Sequence, residues 1–430
     1  MSSFYIDTNL TSFMNIGFVG LGKLGLPSAL AIESKGHTVV GYDINPNVAE
    51  YIKSKNIPYL EEGVPELLQN TKIEVLSLDQ VLKRSEIIFV PVQTPHDPRY
   101  EGVTKLLDET ADFNYDFPKS ACKSISEELD KIGEDRIVII ISTVLPGTIE
   151  REIKPLLGKH VKLCYNPFFI AMGTTVRDFL SPEIVLFGVD DKEALAKAKE
   201  FYRTITDAPF HEMAIINAEL TKVNYNTFIG MKINFANNLM EVCHNLREKG
   251  ADVDVVIDAL SDCTTRIISS SYMRGGMPDS GGCHPRDNIA LADFAKNQKL
   301  SNDIYTEQMM IREHHIRWYK EIMMSESTKH NLPMMILGKA YKPETNLTVG
   351  SSSIRLHNEF LDDNVECDIW DPHVDGNERS VEIKSKPHIY FIGTKHEDFK
   401  NFEFPNGSIV IDPFRYIQNN NAEIISLGRK

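Results

Sequence analysis

The chain has 430 residues, 42% of them hydrophobic and 25% charged, with a formal net charge of −15 at pH 7. That length is more than one hydrophobic core organises, so we expect two or three domains. The acidic balance argues against nucleic acid as a partner, because phosphate backbones are bound mainly by lysine and arginine.

The six cysteines are widely scattered, and no two of them have the spacing of a metal site. This pattern predicts free thiols in a reducing compartment, hence a cytoplasmic protein, and no bound metal. No apolar run reaches the roughly 18 residues of a membrane-spanning helix, so no membrane partner is expected. Residues 1–13 have neither a basic start nor an apolar stretch, and we interpret them as an N-terminal extension.

The first patterned segment is NIGFVGLGKLGLPSALAIESKGHTVVGYD. An apolar run, a glycine turn, a helical stretch and a second apolar run follow in order, which predicts one βαβ unit. Further strand-like runs lie at residues 73–76, 87–92, 137–142, 161–165 and 184–189. Helical stretches such as 64–70 and 120–132 alternate with them, and this alternation favours a parallel sheet.

The pattern changes at about residue 211, where helical periodicity begins and predicts one long helix. From residue 329 a second α/β section follows, with strands predicted at 334–337, 366–370, 388–392 and 408–411. We therefore expect an α/β fold in which two Rossmann-like, doubly wound parallel-sheet domains are joined by a central helical domain. The predicted boundaries are 14–210, 211–328 and 329–430.

A dinucleotide-binding motif opens the first of these domains. Gly20, Gly22 and Gly25 form GxGxxG between a predicted strand and a predicted helix. They allow a tight turn, close approach of a diphosphate to the backbone, and helix packing, respectively. Asp43 ends the next strand and can accept hydrogen bonds from a ribose diol. Its charge would repel a 2′-phosphate, so NAD is favoured over NADP.

A second distinctive stretch, SGGCHPRD, spans residues 280–287. Glycines on one side and proline on the other predict a tight turn that presents the thiol of Cys283. Lys222 and Asn226 are four residues apart in the predicted long helix, and therefore lie on one face of it. With STVLPGT, AELTKVNYN, GKAYKPET and IVIDPFR, these segments resemble the UDP-glucose/GDP-mannose dehydrogenase family in the same order along the chain.

Within that family, SGGCHPRD is most similar to the form that oxidises UDP-glucose. The resemblance implies an N-terminal NAD domain, a central domain that forms a homodimer or a higher homo-oligomer, and a C-terminal domain that binds the nucleotide sugar. It also implies oxidation of the C6 hydroxyl of a UDP-sugar to a carboxylate with two hydride transfers. A cysteine serves this chemistry, because a thiohemiacetal can lose a second hydride and become a thioester that water opens.

The resemblance also implies roles for particular residues. Cys283 matches the nucleophile, Lys222 and Asn226 match the pair that stabilises oxyanions, and Asp287 and Thr143 match groups that orient water. The cofactor-binding residues carried over are Gly20, Gly22, Lys23, Leu24, Gly25, Asp43, Thr94, Thr143 and Arg286. The substrate-binding residues are Phe168, Phe169, Lys222, Asn226, Arg266, Arg274, Gly281, Gly282, Tyr341, Lys342 and Arg415. Arg266 would come from the neighbouring subunit, although the loop between it and Cys283 is one residue longer here.

The chain departs from the family pattern at several positions. Phe168 and Met172 occupy the two glutamate positions of the family's NPE motif, and Val349 and Val48 occupy positions of cofactor-contacting arginines. Three explanations stay open for the glutamates. Asp287 with Thr143 is sufficient for water activation, which we prefer; another acid such as Glu219 or Asp178 substitutes; or a different substrate is released differently.

Alternative functions also stay open. One is a 6-dehydrogenase for another nucleotide sugar, such as a UDP-N-acetylhexosamine or GDP-mannose. Another is a single-step dehydrogenase related to 3-hydroxyacid or 6-phosphogluconate enzymes, which needs neither SGGCHPRD nor a second α/β domain. The third is a sugar-nucleotide binder without activity, suggested by Phe168 and Met172.

Overall fold

The computed structural model describes residues 13–95, 97–106, 109–264, 269, 271–298, 303–383, 385–418 and 421–429. These residues divide into two compact units. The first comprises the described parts of Met1–Pro95 and Asn114–Lys222, and the second those of His96–Phe113 and Val223–Lys430. The described residues between 97 and 113, which lie within the predicted domain 14–210, group with the second unit.

The first unit is built on an eight-stranded sheet in the order β3-β2-β1-β4-β5-β6-β7-β8. Its strands are β1 (Asn15–Val19), β2 (Thr38–Tyr42), β3 (Glu74–Val75), β4 (Ile87–Val90), β5 (Arg136–Ile140), β6 (Val161–Tyr165), β7 (Val185–Gly188) and β8 (Phe210–Met213). Every neighbouring pair is parallel except β6 and β7, which pair antiparallel. All four residues of β4 are buried, as expected for a parallel sheet covered on both faces.

Among the described residues of this unit, seven helices connect the strands, and a π-helical turn follows β5 at Ile149–Ile153. They are α1 (Gly25–Ser34), α2 (Asn47–Ser54), α3 (Val64–Asn70), α4 (Leu78–Arg84), α5 (Asp116–Ile132), α6 (Thr175–Leu180) and α7 (Lys192–Tyr202). In α5 the buried residues Cys122, Ile125 and Leu129 recur at helical spacing, so one apolar stripe faces the core. The helix ends at Gly133, which adopts the left-handed conformation typical of a helix C-terminus.

The second unit contains a second sheet and most of the long helix α8, whose first residues belong to the first unit. Its helices are α8 (Ile215–Asn245), α9 (Val253–Ser261), α10 (His284–Gln298), α11 (Ile304–His330), α12 (Ser352–Asp362), α13 (Pro372–Asp375), α14 (Ser380–Ile383) and α15 (Glu397–Lys400). Its strands are β9 (Met334–Leu337), β10 (Asp368–Trp370), β11 (Ile389–Ile392), β12 (Ile409–Asp412) and β13 (Glu423–Ser426). All of them are parallel, in the order β10-β9-β11-β12-β13.

The predicted α/β class, the two parallel sheets and the long helix are confirmed. Two strands were not predicted, β8 and β13, and each lies at the edge of its sheet. Edge strands are only partly covered, so β8 carries no fully buried residue and gives a weak apolar signal. Among the described residues, no helix has the length and apolarity needed to cross a membrane.

Candidate active site

The glycine turn between β1 and α1 has the geometry of a dinucleotide site. Gly20 has φ +111°, a conformation that favours glycine. A Cβ on Gly25 would lie 2.2 Å from the carbonyl oxygen of Gly20, so α1 starts in direct contact with the turn. A Cβ on Gly22 would meet nothing within 4 Å, which leaves its backbone open to a diphosphate. Lys23 beside it is exposed, and Leu24 is half-buried.

Asp43 follows β2 and is tied to this turn. Its carboxylate accepts hydrogen bonds from Leu21 N at 2.6 Å and from Asn45 N at 2.7 Å. The carboxylate is half-buried beside the turn, where it can also accept from a ribose hydroxyl. These residues fit NAD, which would supply a hydride acceptor when bound. Val48 lies in the hydrophobic core and is 3% exposed, so it offers the cofactor no polar contact.

Two loops meet at the carboxyl ends of β4 and β5. The hydroxyl of Thr94 donates to the carbonyl oxygen of Thr143 at 3.0 Å, and Ser142 Oγ donates to Val92 O at 2.6 Å. β1 and β4 are neighbours at the point where the strand order reverses, and ligands of such sheets bind outside the carboxyl ends there. The predicted cofactor residues Thr94 and Thr143 are therefore brought together on the ligand-binding edge of the sheet.

The NPFF segment after β6 is anchored by its asparagine. Asn166 donates to Leu186 O at 2.8 Å and accepts a hydrogen bond from the hydroxyl of Tyr202. Phe168 points into the core of the first unit and packs against Phe89 and Phe179, with ring centroids 6.4 and 5.4 Å away. Phe168, which the resemblance aligns with a family glutamate, is therefore a structural core residue.

Phe169 takes a different direction from its neighbour. The Nζ atom of Lys222 lies over the Phe169 ring, 5.2 Å from its centroid, and Lys222 is only 6% exposed. A cation over an aromatic face is stabilised by the ring quadrupole. The structure thus brings two of the predicted substrate-binding residues into contact.

Glu219 and Asp178, which the sequence analysis names as possible substitute acids, both accept hydrogen bonds from backbone N–H groups. Glu219 is fully buried, and its carboxylate accepts from Gly147 N at 2.6 Å and Ile149 N at 2.8 Å. Asp178 accepts from Ala171 N at 3.1 Å and from the Thr174 hydroxyl at 2.8 Å. Burial raises the pKa of Glu219, and its hydrogen bonds to the two N–H groups only partly oppose this.

In the second unit, Cys283 lies immediately before α10 and is half-buried. One turn later, Asp287 is fully buried and accepts from Asn226 Nδ2 at 2.7 Å. Its other oxygen accepts from Nε and Nη2 of Arg286, at 3.0 and 2.9 Å. Arg286 in turn lies over the Phe113 ring, 4.9 Å from its centroid. Asp287 therefore holds Asn226 of α8 and the neighbouring Arg286 in place, one turn after the thiol.

The turn that carries Cys283 packs against the segment before α12. Gly281 N donates to Gly350 O at 3.1 Å, and a Cβ on Gly350 would lie 2.1 Å from Gly281 O. The ring of Tyr341 lies against Gly281, since a Cβ there would be 2.8 Å from Tyr341 Cδ2. A Cβ on Gly282 would lie 3.4 Å from a methyl group of Val349, so this valine, which the resemblance aligns with a family arginine, packs on the turn.

The remaining predicted substrate residues are spread over the second unit. Lys342 Nζ lies 5.7 Å from the centroid of the Tyr341 ring. Arg274 is exposed and pairs with Asp258. Arg415 donates to both oxygens of Asp254, at 2.8 and 3.1 Å, so its guanidinium is bound within the protein. Arg266 lies outside the described residues.

One cluster of described side chains was not anticipated, at the carboxyl ends of the second sheet. Glu344, His373 and His396 offer ligand atoms that lie within 4.8 Å of one another. However, Nδ1 of His396 accepts from Glu344 N at 3.0 Å, and its Nε2 lies 3.0 Å from Asp371 Oδ2. Both ring nitrogens are thus already hydrogen-bonded, which is the arrangement of a structural anchor.

Sequence reasoning also missed the anchoring roles of Asn166, Glu219 and Gly350. For Glu219 only a weak signal exists, an acid three residues before the predicted site lysine Lys222, because its hydrogen-bond partners lie 72 and 70 residues away. Gly350 carries a better signal, since a glycine between Val349 and a serine run suggests a position where a side chain does not fit.

A dinucleotide-binding sheet in one unit and a thiol-bearing turn in the other are features of a dehydrogenase that uses a nicotinamide cofactor. Residues 14–206 match the NAD-binding domain, and residues 216–313 the central domain, of the UDP-glucose/GDP-mannose dehydrogenase family. The chain belongs to this family, and NAD is its cofactor.

The names of its relatives specify different sugar nucleotides as substrates. A GDP-mannose 6-dehydrogenase of Pseudomonas aeruginosa is 25% identical over 395 residues, which cover 87% of this chain and 86% of that protein. A UDP-glucose 6-dehydrogenase of Rickettsia bellii is 26% identical over 377 residues, covering 84% and 81%. The structure of a UDP-glucose dehydrogenase from Pyrobaculum islandicum superposes with a TM-score of 0.82 at 22% identity, covering 98% and 99% of the two chains. This last likeness is one of fold.

Proposed function

We propose that this protein oxidises the C6 hydroxyl of a nucleotide sugar to a carboxylate, with UDP-glucose as substrate and UDP-glucuronate as product. The observation that carries the proposal is the half-buried thiol of Cys283 at the start of α10, one turn before an aspartate that holds Asn226 and Arg286. NAD, when bound, supplies the acceptor for the hydride removed in each oxidation. The overall change consumes one water and two NAD per sugar, and yields one carboxylate, two NADH and three protons.

The chain's own residues divide the chemistry between them. The sulfur of Cys283 adds to the C6 aldehyde and gives a thiohemiacetal, whose oxidation leaves a thioester. Lys222 and Asn226, one turn apart in α8, supply a cation and an amide donor for the oxygen on which negative charge develops. Water then attacks the thioester carbon, the carbon–sulfur bond breaks, and the thiol recovers its proton.

Thioester hydrolysis relies on Asp287 and Thr143 in this proposal. The carboxylates of Glu219 and Asp178 already accept hydrogen bonds from backbone N–H groups. This supports the view that neither acid replaces the family glutamate as the base that activates water. Phe168, aligned with a family glutamate, packs in the core and offers no carboxylate to the thioester. Water activation is therefore left to Asp287 and Thr143. A slow final step is therefore expected, since a positioned carboxylate commonly contributes about 10²- to 10⁴-fold.

The test is to incubate the protein with NAD and a panel of UDP- and GDP-sugars, and to count NADH formed per sugar consumed. Two equivalents with UDP-glucose support the proposal. Two equivalents with GDP-mannose or a UDP-N-acetylhexosamine instead identify another 6-dehydrogenase, which the names of the relatives keep open. One equivalent indicates a single-step enzyme, and binding without NADH indicates a sugar-nucleotide binder, the alternative that Phe168 and Met172 suggest.

A homodimer formed through α8 belongs to the same proposal. Phe228 and Phe235 are seven residues apart on α8, and their side chains are 46% and 50% exposed. Large apolar side chains exposed at this spacing on one helix favour packing against a second helix. A second copy of this chain is the partner we propose for them.

A further inference from the structure

A buried pair, Asp371 and His396, lies beneath the segment 338–345 that carries Tyr341 and Lys342. Both are 0% exposed. The segment follows β9, Asp371 follows β10, and His396 comes shortly after β11. β10 and β11 are the two neighbours of β9, so the carboxyl ends of three adjacent parallel strands bring these residues together.

Asp371 fixes the start of the segment. Its Oδ2 atom accepts from Lys339 N at 2.6 Å, Ala340 N at 2.9 Å and His396 Nε2 at 3.0 Å. Burial alone would raise the pKa of Asp371, but the hydrogen bonds from His396 and the two N–H groups outweigh it and lower that pKa to about 2. The carboxylate is therefore ionised, and the Nε2 atom of His396 donates to it.

His396 fixes the end of the same segment. Its Nδ1 atom accepts from Glu344 N at 3.0 Å, which assigns the ring proton to Nε2. Glu344 has φ +56°, a left-handed conformation that is unfavourable for a residue with a Cβ and needs support from its surroundings. Glu397 N also donates to Glu344 Oε1 at 3.0 Å, and the hydroxyl of Thr394 donates to Ala340 O at 2.7 Å.

We propose that His396 is a positioning residue for the nucleotide sugar. By linking Asp371 to the strained backbone of Glu344, its ring sets the conformation of the segment between them, and hence of Tyr341 and Lys342. The Tyr341 ring lies against Gly281, two residues before Cys283. The inference rests on the proposed function, in which Tyr341 and Lys342 contact the sugar nucleotide.

Two amide variants of His396 test its two hydrogen bonds separately. In His396→Asn the side-chain oxygen can replace Nδ1 and accept from Glu344 N, whereas in His396→Gln the amide nitrogen can replace Nε2 and donate to Asp371. His396→Gln should raise the KM for the nucleotide sugar about tenfold, the effect of losing one hydrogen bond. The KM of His396→Asn for the nucleotide sugar should stay within about threefold of the wild-type value. In both variants kcat and the KM for NAD should change less than twofold, because the lost contact stabilises the bound substrate and the transition state equally.

His373→Asn is the matched control. Its ring stacks on that of His396 at 4.3 Å between centroids, but its Nε2 is bonded to Asp398 and not to the backbone of the segment. Its KM should equal that of wild type. Thr394→Val, which removes the bond to Ala340 O, provides a second test if His396→Gln does not fold, and should raise the sugar KM about threefold.

Calorimetric titration with the same nucleotide sugars distinguishes failure of the positioning role of His396 from failure of the proposed function. If wild type binds the sugar nucleotide and His396→Gln and Thr394→Val bind it equally well, the positioning role is wrong and the proposed function stands. Equal KM increases in His396→Asn and His396→Gln would also overturn the role assigned to the Glu344 bond. A wild-type protein that binds none of the nucleotide sugars overturns the proposed function and this inference with it.

Discussion

A glutamate at position 168, where the resemblance expects one, would not fit the structure. Phe168 is 9% exposed and packs against Phe89 and Phe179, so Phe168→Glu would place a carboxylate in the core. We expect it to lower the free energy of unfolding by about 3 kcal/mol or more, because removing a core phenylalanine alone costs about 3–5 kcal/mol. Met172→Glu, at a half-buried position, is the control and should cost less than about 1 kcal/mol. Chemical denaturation measures both, and equal small losses would show that Phe168 is not a core residue.

Glu219 makes the stability of the first unit depend on pH. Burial raises its pKa in the folded protein above the ordinary value, so the folded state holds a proton that the unfolded state has already lost. The free energy of unfolding therefore falls as the pH rises from the ordinary carboxyl pKa through the raised one. Glu219→Gln cannot lose a proton, so relative to wild type it should become more stable as the pH rises through that window. Urea denaturation of both proteins over a pH series that starts at the ordinary carboxyl pKa tests this, and a constant difference between them would contradict it.

At the scale of elements, the contact between the cysteine turn and the segment before α12 depends on Gly350. It has φ +68°, and a Cβ would lie 2.1 Å from Gly281 O. Gly250 has φ +86° with nothing within 4 Å of an added Cβ, so Gly250→Ala measures backbone strain alone. Gly350→Ala should cost about 1–3 kcal/mol more than this control, and should change the rate at which Cys283 reacts with a thiol reagent. Equal losses in both variants would mean that the turn does not need this contact.

Elements with a strong apolar period were predictable, and contacts between distant residues were not. The strands at Val161–Tyr165 and Met334–Leu337 and the helix at Val64–Asn70 occur as predicted, because their patterns are fixed by local burial. The edge strands β8 and β13 were missed because only part of each is covered. In the site, the proximity of Cys283 and Asp287 was predictable, because four residues, about one helical turn, separate them. The bond between Asp371 and His396 depends on strand order, which no local pattern encodes.

At the scale of the whole molecule, α8 should carry a subunit interface. Fully burying a phenylalanine stabilises an association by about 1.5–3 kcal/mol, so Phe228→Glu with Phe235→Glu should raise the dimer dissociation constant at least about 100-fold. Leu361→Glu changes an exposed apolar residue of α12 and should leave the dimer intact. Sedimentation velocity across a concentration series measures all three proteins. A monomeric wild type, or a double variant that dimerises like wild type, would contradict the interface.

The proposed function depends above all on a covalent bond between the sulfur of Cys283 and C6 of the sugar. The most direct test is the rate of acid formation from UDP-glucose and NAD by Cys283→Ala, with Cys263→Ala, which removes an exposed thiol, as the control. We predict that Cys283→Ala loses acid formation by at least about 10³-fold, while Cys263→Ala keeps the wild-type rate. Acid formation by Cys283→Ala at a rate close to that of wild type would contradict the central claim.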